Sequence, residues 1–142
     1  MYDYKIFIHE ENDHFWSACP DIPEAHSAGD TREELLANAV DGITLAMSIY
    51  VDQKRAIPVA SGAGDHLVHL SGVTVAKAIL WNELIRSGKS RSDLAAMLGI
   101  SATAAGRLVD FEHTSKLESL EDALAHFGIR LQVTPVATAH AA

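Results

Sequence analysis

The stretch SRSDLAAMLGISATAAGRLVD, residues 90–110, decides how the second half of the chain is read. Two short helical runs flank a glycine. Ala95 stands where two crossing helices demand a small side chain, and Gly99, four positions on, stands where the turn demands a positive φ. Leu94, Leu98, Ile100, Ala105 and Leu108 have the spacing that pins such a pair to a core. Together these constraints predict a helix-turn-helix, the arrangement that lays its second helix in the DNA major groove. That helix exposes Ser101, Ala102, Thr103, Gly106, Arg107 and Asp110. Arg107 has the fork that grips guanine or phosphate, and Thr103 suits a thymine methyl or a phosphate. Ser101 caps the helix, where free N–H groups also meet a phosphate. Arg91 is expected to hold the DNA backbone, as are Lys89, Arg86 and Lys116. The expected DNA-binding set is Arg91, Ser101, Ala102, Thr103, Gly106 and Arg107.

A DNA-reading element sits oddly in a chain of 142 residues with a formal charge of −8. The charge, however, is confined to one half. Residues 1–70 hold four Lys and Arg against twelve Asp and Glu, whereas residues 71–142 hold seven of each. An acidic half repels phosphate and suits a basic partner, or is simply a well-solvated face. The neutral half binds DNA weakly as one copy. Two copies on half-sites one turn apart bind far better, which implies a dimer.

The acidic half reads as α+β. YKIFIHEE alternates, with Tyr4, Ile6 and Ile8 on one face and Lys5, Phe7 and His9 on the other, and predicts a strand. ENDHF is a turn, FWSAC a second strand, PDIPE a loop enforced by two prolines, and AHSAG a third strand. DTREELLANAVDGITLAMSIYVDQ predicts a long helix, capped by Asp30 with Glu33 in the reciprocal position. Its apolar stripe is Leu36, Val40, Ile43, Met47 and Tyr50. AIPVA and HLVHL are two further strand candidates, so the order is β-β-β-α-β. SGAGD, residues 61–65, is the flexible linker candidate.

The rest predicts helices. Val73, Ala76, Ile79, Leu80 and Leu84 form one face of a helix stopping at Gly88, and Leu117, Leu120, Leu124 and Phe127 one face of another stopping at Gly128. IRLQV alternates and predicts a last strand, whose unpaired edge invites a second copy. The division is residues 1–70, residues 71–134 as the DNA-binding and dimerisation domain, and residues 135–142 as a flexible tail. No apolar run approaches 18 residues and no signal peptide opens the chain, so a cytoplasmic protein without a membrane span is expected. Cys19 is the only cysteine, which excludes an internal disulfide.

CPDIPEAHSAGDTREELLANAVDGI resembles the signature of HicB-type antitoxins: a Pro-x-x-Pro-Glu loop, a small-residue strand, Gly-Asp-Thr, then a helix opening Glu-Glu-Leu. IPVAS resembles the segment that follows that helix, and a helix-turn-helix is one of two C-terminal types in the family, beside ribbon-helix-helix. The resemblance runs to about Val133. It implies a partial ribonuclease-H-like β-β-β-α-β domain that covers the active site of a small, basic, mRNA-cleaving HicA-like toxin. It also implies a C-terminal domain that represses its own operon by binding operator DNA, as a homodimer or a tetramer. The recognition helix is poorer in long side chains than such a role suggests. Residues expected at the toxin contact are Phe15, Trp16, Asp21, Ile22, Pro23 and Glu24.

Enzyme chemistry finds little support, and neither a cofactor nor a catalytic residue is expected. His66 and His69 on a strand point to opposite faces, and no cysteine pair joins them, so no metal site is expected. Cys19 before Pro20 has no fixed base and reads as a buried thiol. The pairs Glu10–Glu11 and Glu33–Glu34 are explained by turn solvation and by the helix N-terminus. Two other classes stay open: a stand-alone transcriptional regulator whose N-terminal domain senses a small ligand, and a degenerate nuclease.

Overall fold

The structure, a computed structural model, describes residues 1–138. Its first half is a four-stranded antiparallel sheet under one long helix. Strands β1 (Lys5–Glu11) and β2 (His14–Ala18) form a hairpin, β3 (His26–Gly29) pairs with β2, and helix α1 (Arg32–Asp52) follows. The two-residue strand β4 (His66–Leu67) then returns to the free edge of β1, giving the order β3-β2-β1-β4. The hairpin loop is Asn12 and Asp13, with φ of 53° and 57°. Two successive positive φ values match the right-handed twist of the strands they join, and Asn and Asp tolerate them best after glycine. The second half adds α2 (Gly72–Ser87), α3 (Arg91–Leu98), α4 (Ala102–Leu108) and α5 (Leu117–Ala125).

The β-β-β-α-β order is as expected, with three changes of detail. The cap of α1 is Thr31, not Asp30: its hydroxyl accepts from the Glu34 N–H at 3.1 Å, and the Glu34 carboxylate reaches back to the Asp30 N–H at 3.3 Å. Adjacent cap formers followed by adjacent glutamates leave the register open by one residue, and the backbone enters the helix one residue later. The buried stripe of α1 is also rotated. It is Leu35, Ala39, Ile43, Ala46, Met47, Tyr50 and Val51, while Leu36 and Val40 are half-buried at its side. The physical reason is close approach. A Cβ on Gly42 would lie 2.6 Å from the Ser27 hydroxyl, and one on Gly29 2.6 Å from the Leu35 nitrogen. Small residues therefore sit where α1 comes nearest the sheet, at Ala39, Gly42 and Ala46, among the large buried side chains of Leu35, Ile43, Met47 and Tyr50. By length and composition this 21-residue helix also meets the requirements of a membrane span, which a scan for uninterrupted apolar runs misses. Its apolar face is spent on the sheet instead.

The third change is that AIPVA forms no strand. Ile57 is nevertheless buried and its backbone fully paired: its N–H donates to Asn82 Oδ1 at 2.8 Å, and its C=O accepts from Asn82 Nδ2 at 2.9 Å. One side-chain amide in α2 thus imitates a strand partner. The same Asn82 reaches the Tyr2 hydroxyl at 2.9 Å, and Trp81 Nε1 donates to the Arg55 carbonyl at 2.7 Å. The Tyr4 hydroxyl donates to the Pro58 carbonyl. Residues 61–65, expected as a loose linker, are pinned as well: the Ser61 N–H donates to Asp21, and Gly64, at φ 136°, lies where a Cβ would meet the Lys5 backbone. A single buried cluster runs from Tyr2 to Leu124 across both halves.

In the second half α2, α3 and α4 appear where expected. Gly88 and Gly99 end α2 and α3 in the left-handed region, and Ser90 caps α3 with Asp93 in reciprocal position. IRLQV forms no strand: the Ile129 N–H closes the Gly128 turn onto the Leu124 carbonyl at 3.0 Å, and Ile129 and Leu131 pack against the core. Of the expected tail, residues 139–142 lie outside the described residues. Val136 lines a shallow cleft with Met1, Lys5 and Leu67, and Thr138 lines another with Leu36, Val40 and Val68.

Candidate DNA-binding and partner-binding surfaces

Two surfaces carry exposed side chains of the expected kinds, one in each half. In the second half, α3 and α4 meet across the turn at Gly99, φ 66°. Leu94, Ala95, Ala105 and Leu108 are buried between them and the core, and Leu98 is half-buried. Ile100, expected in that core, is 39% exposed. Its N–H donates back to the Ala95 carbonyl at 3.1 Å, the closure of a left-handed glycine cap, and its side chain faces the cleft between α4 and α5.

Ser101 caps α4 through the Ala104 N–H at 3.0 Å, leaving Ala102 and Thr103 exposed on its first turn. Arg91, Thr103, Gly106 and Arg107 line one cleft of about 440 Å³. Both arginines are exposed, and the Arg91 Cδ would stand in ordinary contact, 3.9 Å, with a Cβ at Gly106. Four of the six residues expected to meet DNA thus line one cleft. Ser101 and Ala102 flank it. What sequence reasoning missed is the opposite wall, made by Ser48, Val51 and Asp52 at the end of α1. It missed Lys77 too. That residue is 1% exposed and donates to three backbone carbonyls and one hydroxyl around the end of α4. Only its place beside Ala76, Ala78 and Leu80 hints at burial.

In the first half, strand pairing assigns every residue to a face, since directly paired residues share one. Phe15, Ser17 and Gly29 lie on the α1 side. Trp16 pairs with His9 on β1 and Ala28 on β3, and the adjacent row is Phe7, Ala18 and His26. Both rows occupy the side opposite α1. Phe7 and Trp16 are each 42% exposed, and the rings of His9 and Trp16 stack at 4.0 Å with 20° between planes. Acids rim the face: Glu11 pairs with His14, whose Nδ1 lies 3.3 Å from Asp30 Oδ1.

The expected contact set is therefore divided. Phe15 and Trp16 stand on opposite faces of the sheet. Ile22 is fully buried and belongs to the core, so its side chain meets no partner in this conformation. Asp21 holds the Ser61 N–H at 3.1 Å, and Glu24 accepts the Tyr50 hydroxyl at 2.7 Å with Arg55 at 3.9 Å. Of the four loop residues in the expected set, Pro23 alone is exposed. The loop is a braced corner: an apolar Ile22 points inward and both carboxylates face their own chain. Alternation could not reveal this, because prolines interrupt it. Burial pushes the Cys19 thiol up, as expected of an inert core cysteine. Among the described residues no cluster of three metal-ligating side chains occurs.

Comparison with known proteins gives this arrangement its context. A family described as the HicB-like antitoxin of bacterial toxin–antitoxin systems matches residues 1–79. Antitoxin HicB of Pseudomonas fluorescens (strain Pf0-1) is 44% identical over 134 residues, which cover 92% of each chain. Antitoxin HicB 2 of Photorhabdus laumondii is 34% identical over 131 residues, covering 92% of this chain and 93% of that one. Antitoxin HicB of Escherichia coli (strain K12) is 27% identical over 118 residues, covering 82% and 86%. With a matching domain over more than half its length and such relatives along nearly all of it, the chain belongs to the HicB-like antitoxin family of bacterial toxin–antitoxin systems.

Proposed function

We propose that this antitoxin seats a small basic HicA-like ribonuclease on the outer face of its N-terminal sheet and represses its own operon through α3 and α4. The observation that carries the first part is an aromatic face left open on a strongly acidic half. Phe7, Trp16, Ala18 and Ala28 make a flat apolar centre, with Glu11 and Asp30 at its margin. Apolar centre and charged rim are the anatomy of a protein interface, and the charge steers a basic partner. Phe7 and His9 thus replace Ile22, Asp21 and Glu24 in the expected contact set. In this reading the half keeps a partial ribonuclease-H-like order without catalysis, works in the cytoplasm and needs no cofactor. The division of labour falls near residue 70, while the shared core makes the halves one folding unit.

The second part takes α3 and α4 as a helix-turn-helix, with Arg107 and Arg91 as the charged anchors and Thr103 on the exposed first turn. A neutral half with few reading side chains needs two copies for useful affinity. The apolar alternation of residues 129–133, which pairs with no strand among the described residues, is the dimer strand in this reading. Co-expression of the full chain with the adjacent small basic gene product tests the first part: a stable complex and loss of ribonuclease activity are expected, and separate elution of the two overturns it. Retardation of a duplex from upstream of the gene tests the second.

A further inference from the structure

α4 ends without the device that ends its neighbours. α2 and α3 stop at glycines in the left-handed region, which turn the chain so that following N–H groups satisfy the last carbonyls. α4 stops at Val109, φ −116°, and no residue between Gly99 and Gly128 has a positive φ. The Val109 and Asp110 N–H groups donate back to the Gly106 and Arg107 carbonyls at 3.2 and 3.3 Å, and a side chain from outside holds the Arg107 carbonyl and the loop beyond it. Lys77 Nζ, on α2, donates to the carbonyls of Arg107 at 2.9 Å, Asp110 at 2.7 Å and His113 at 2.6 Å, and to Ser115 Oγ at 2.9 Å. Three ammonium protons facing four acceptors are saturated. No carboxylate pairs with this amine directly. The negative end of the α4 dipole and the loop carbonyls supply the compensation, with Asp110 acting at longer range. Burial disfavours the charge, so an apolar residue would fill a purely packing role at lower cost.

We propose that Lys77 is the positioning residue for operator binding: from α2 it holds the backbone of Arg107, and with it the seat of α4 against DNA. The proposal rests on reading α3 and α4 as the DNA-binding pair. Arg107 is then fixed from within by its carbonyl while its guanidinium stays exposed, so the longest cation of α4 has a defined root. The loop of residues 110–115 is held by the same atom, which fixes Asp110 and Phe111 as walls of the cleft shared with Arg91 and Thr103.

Lys77→Met in the full chain tests this, since it keeps length and loses every donor. Three readouts are taken: retardation of a duplex from upstream of the gene, retardation of a random-sequence duplex, and amide hydrogen exchange. The upstream duplex is expected to bind on the order of tenfold more weakly, the worth of one well-placed contact. Random-sequence binding stays as it was, because the exposed cations remain, and exchange quickens at residues 107–115 but not in the sheet. A general loss of packing would lower both affinities together. Unchanged upstream affinity in a folded variant overturns the proposal. If Lys77→Met does not fold, Lys77→Gln decides, because it keeps two donors: intermediate upstream affinity with faster exchange at residues 107–115 is expected, and behaviour identical to the parent overturns the proposal. Failure of the parent protein itself to retard the upstream duplex refutes the DNA-binding reading instead, and the exchange data still decide whether Lys77 holds the end of α4.

Discussion

Trp16→Ala is the sharpest probe of the sheet face. Trp16 is 42% exposed in the free chain. A tryptophan presents up to ~250 Å², so about 100 Å² remains to be covered by a partner. At ~25 cal/mol per Å² that area is worth ~2.5 kcal/mol, or about 70-fold in Kd. The figure is a ceiling, because ordering and desolvation at an interface offset part of it. The exposed ring stacks on His9 at 4.0 Å, so it is held in place before any partner arrives, and little of the gain is lost to ordering. The same substitution removes no core contact, and the melting temperature is expected to move little. Isothermal titration of the neighbouring basic gene product, beside a thermal melt, measures both quantities. Ile22→Ala is the control with the opposite signature: a fully buried side chain is lost, so stability falls by roughly 2–5 kcal/mol while the folded protein keeps its affinity. Equal affinity of Trp16→Ala and parent refutes the outer face as the seat, and lost affinity in Ile22→Ala at full folding returns it to the proline loop.

The remaining expectations are shorter. Asn82→Leu strips the pairing from both backbone groups of buried Ile57 and from the Tyr2 hydroxyl, and should cost about 3 kcal/mol in denaturant titration, at ~1–3 kcal/mol for each buried group left unpaired; an unchanged midpoint would mean water replaces the amide. For the same reason a chain cut near residue 70 should be markedly less stable than the parent, which circular dichroism can follow. Arg107→Ala should weaken operator binding by ~1–3 kcal/mol per half-site and leave toxin capture intact, as gel retardation and co-purification on one sample would show. Burial and its bond to Glu24 push the Tyr50 hydroxyl up to about 12. The folded state then keeps a proton that the unfolded chain gives up near pH 10, so stability should fall as pH climbs from about 10 to about 12. Tyr50→Phe should flatten part of that slope, and an identical slope in the variant would remove Tyr50 as its source.

Local signals in this chain were enough wherever one residue type has one dominant conformational reason to be present. Gly88 and Gly99 end helices, Ser101 begins one, alternation through Tyr4 and Ile6 sets the inner side of β1, and a block of acids marks the first half as distinct. The signature around residues 19–43 carried the family as well. Tertiary structure alone decided which chemically equivalent neighbour is used, and how near two elements come. Thr31 rather than Asp30 caps α1, and Leu35, Ala39 and Ala46 rather than Leu36 and Val40 lie in its buried stripe, beside Gly42, where the helix comes too near the sheet for a Cβ. Partners distant in sequence were equally out of reach. Asn82 looks like an ordinary helix polar residue until it meets Ile57, and Lys77 like a solvated cation until the carbonyls of α4 surround it. Periodicity records which way a side chain points. Whether water or another segment waits there depends on how the halves pack, and that is set by the whole core at once.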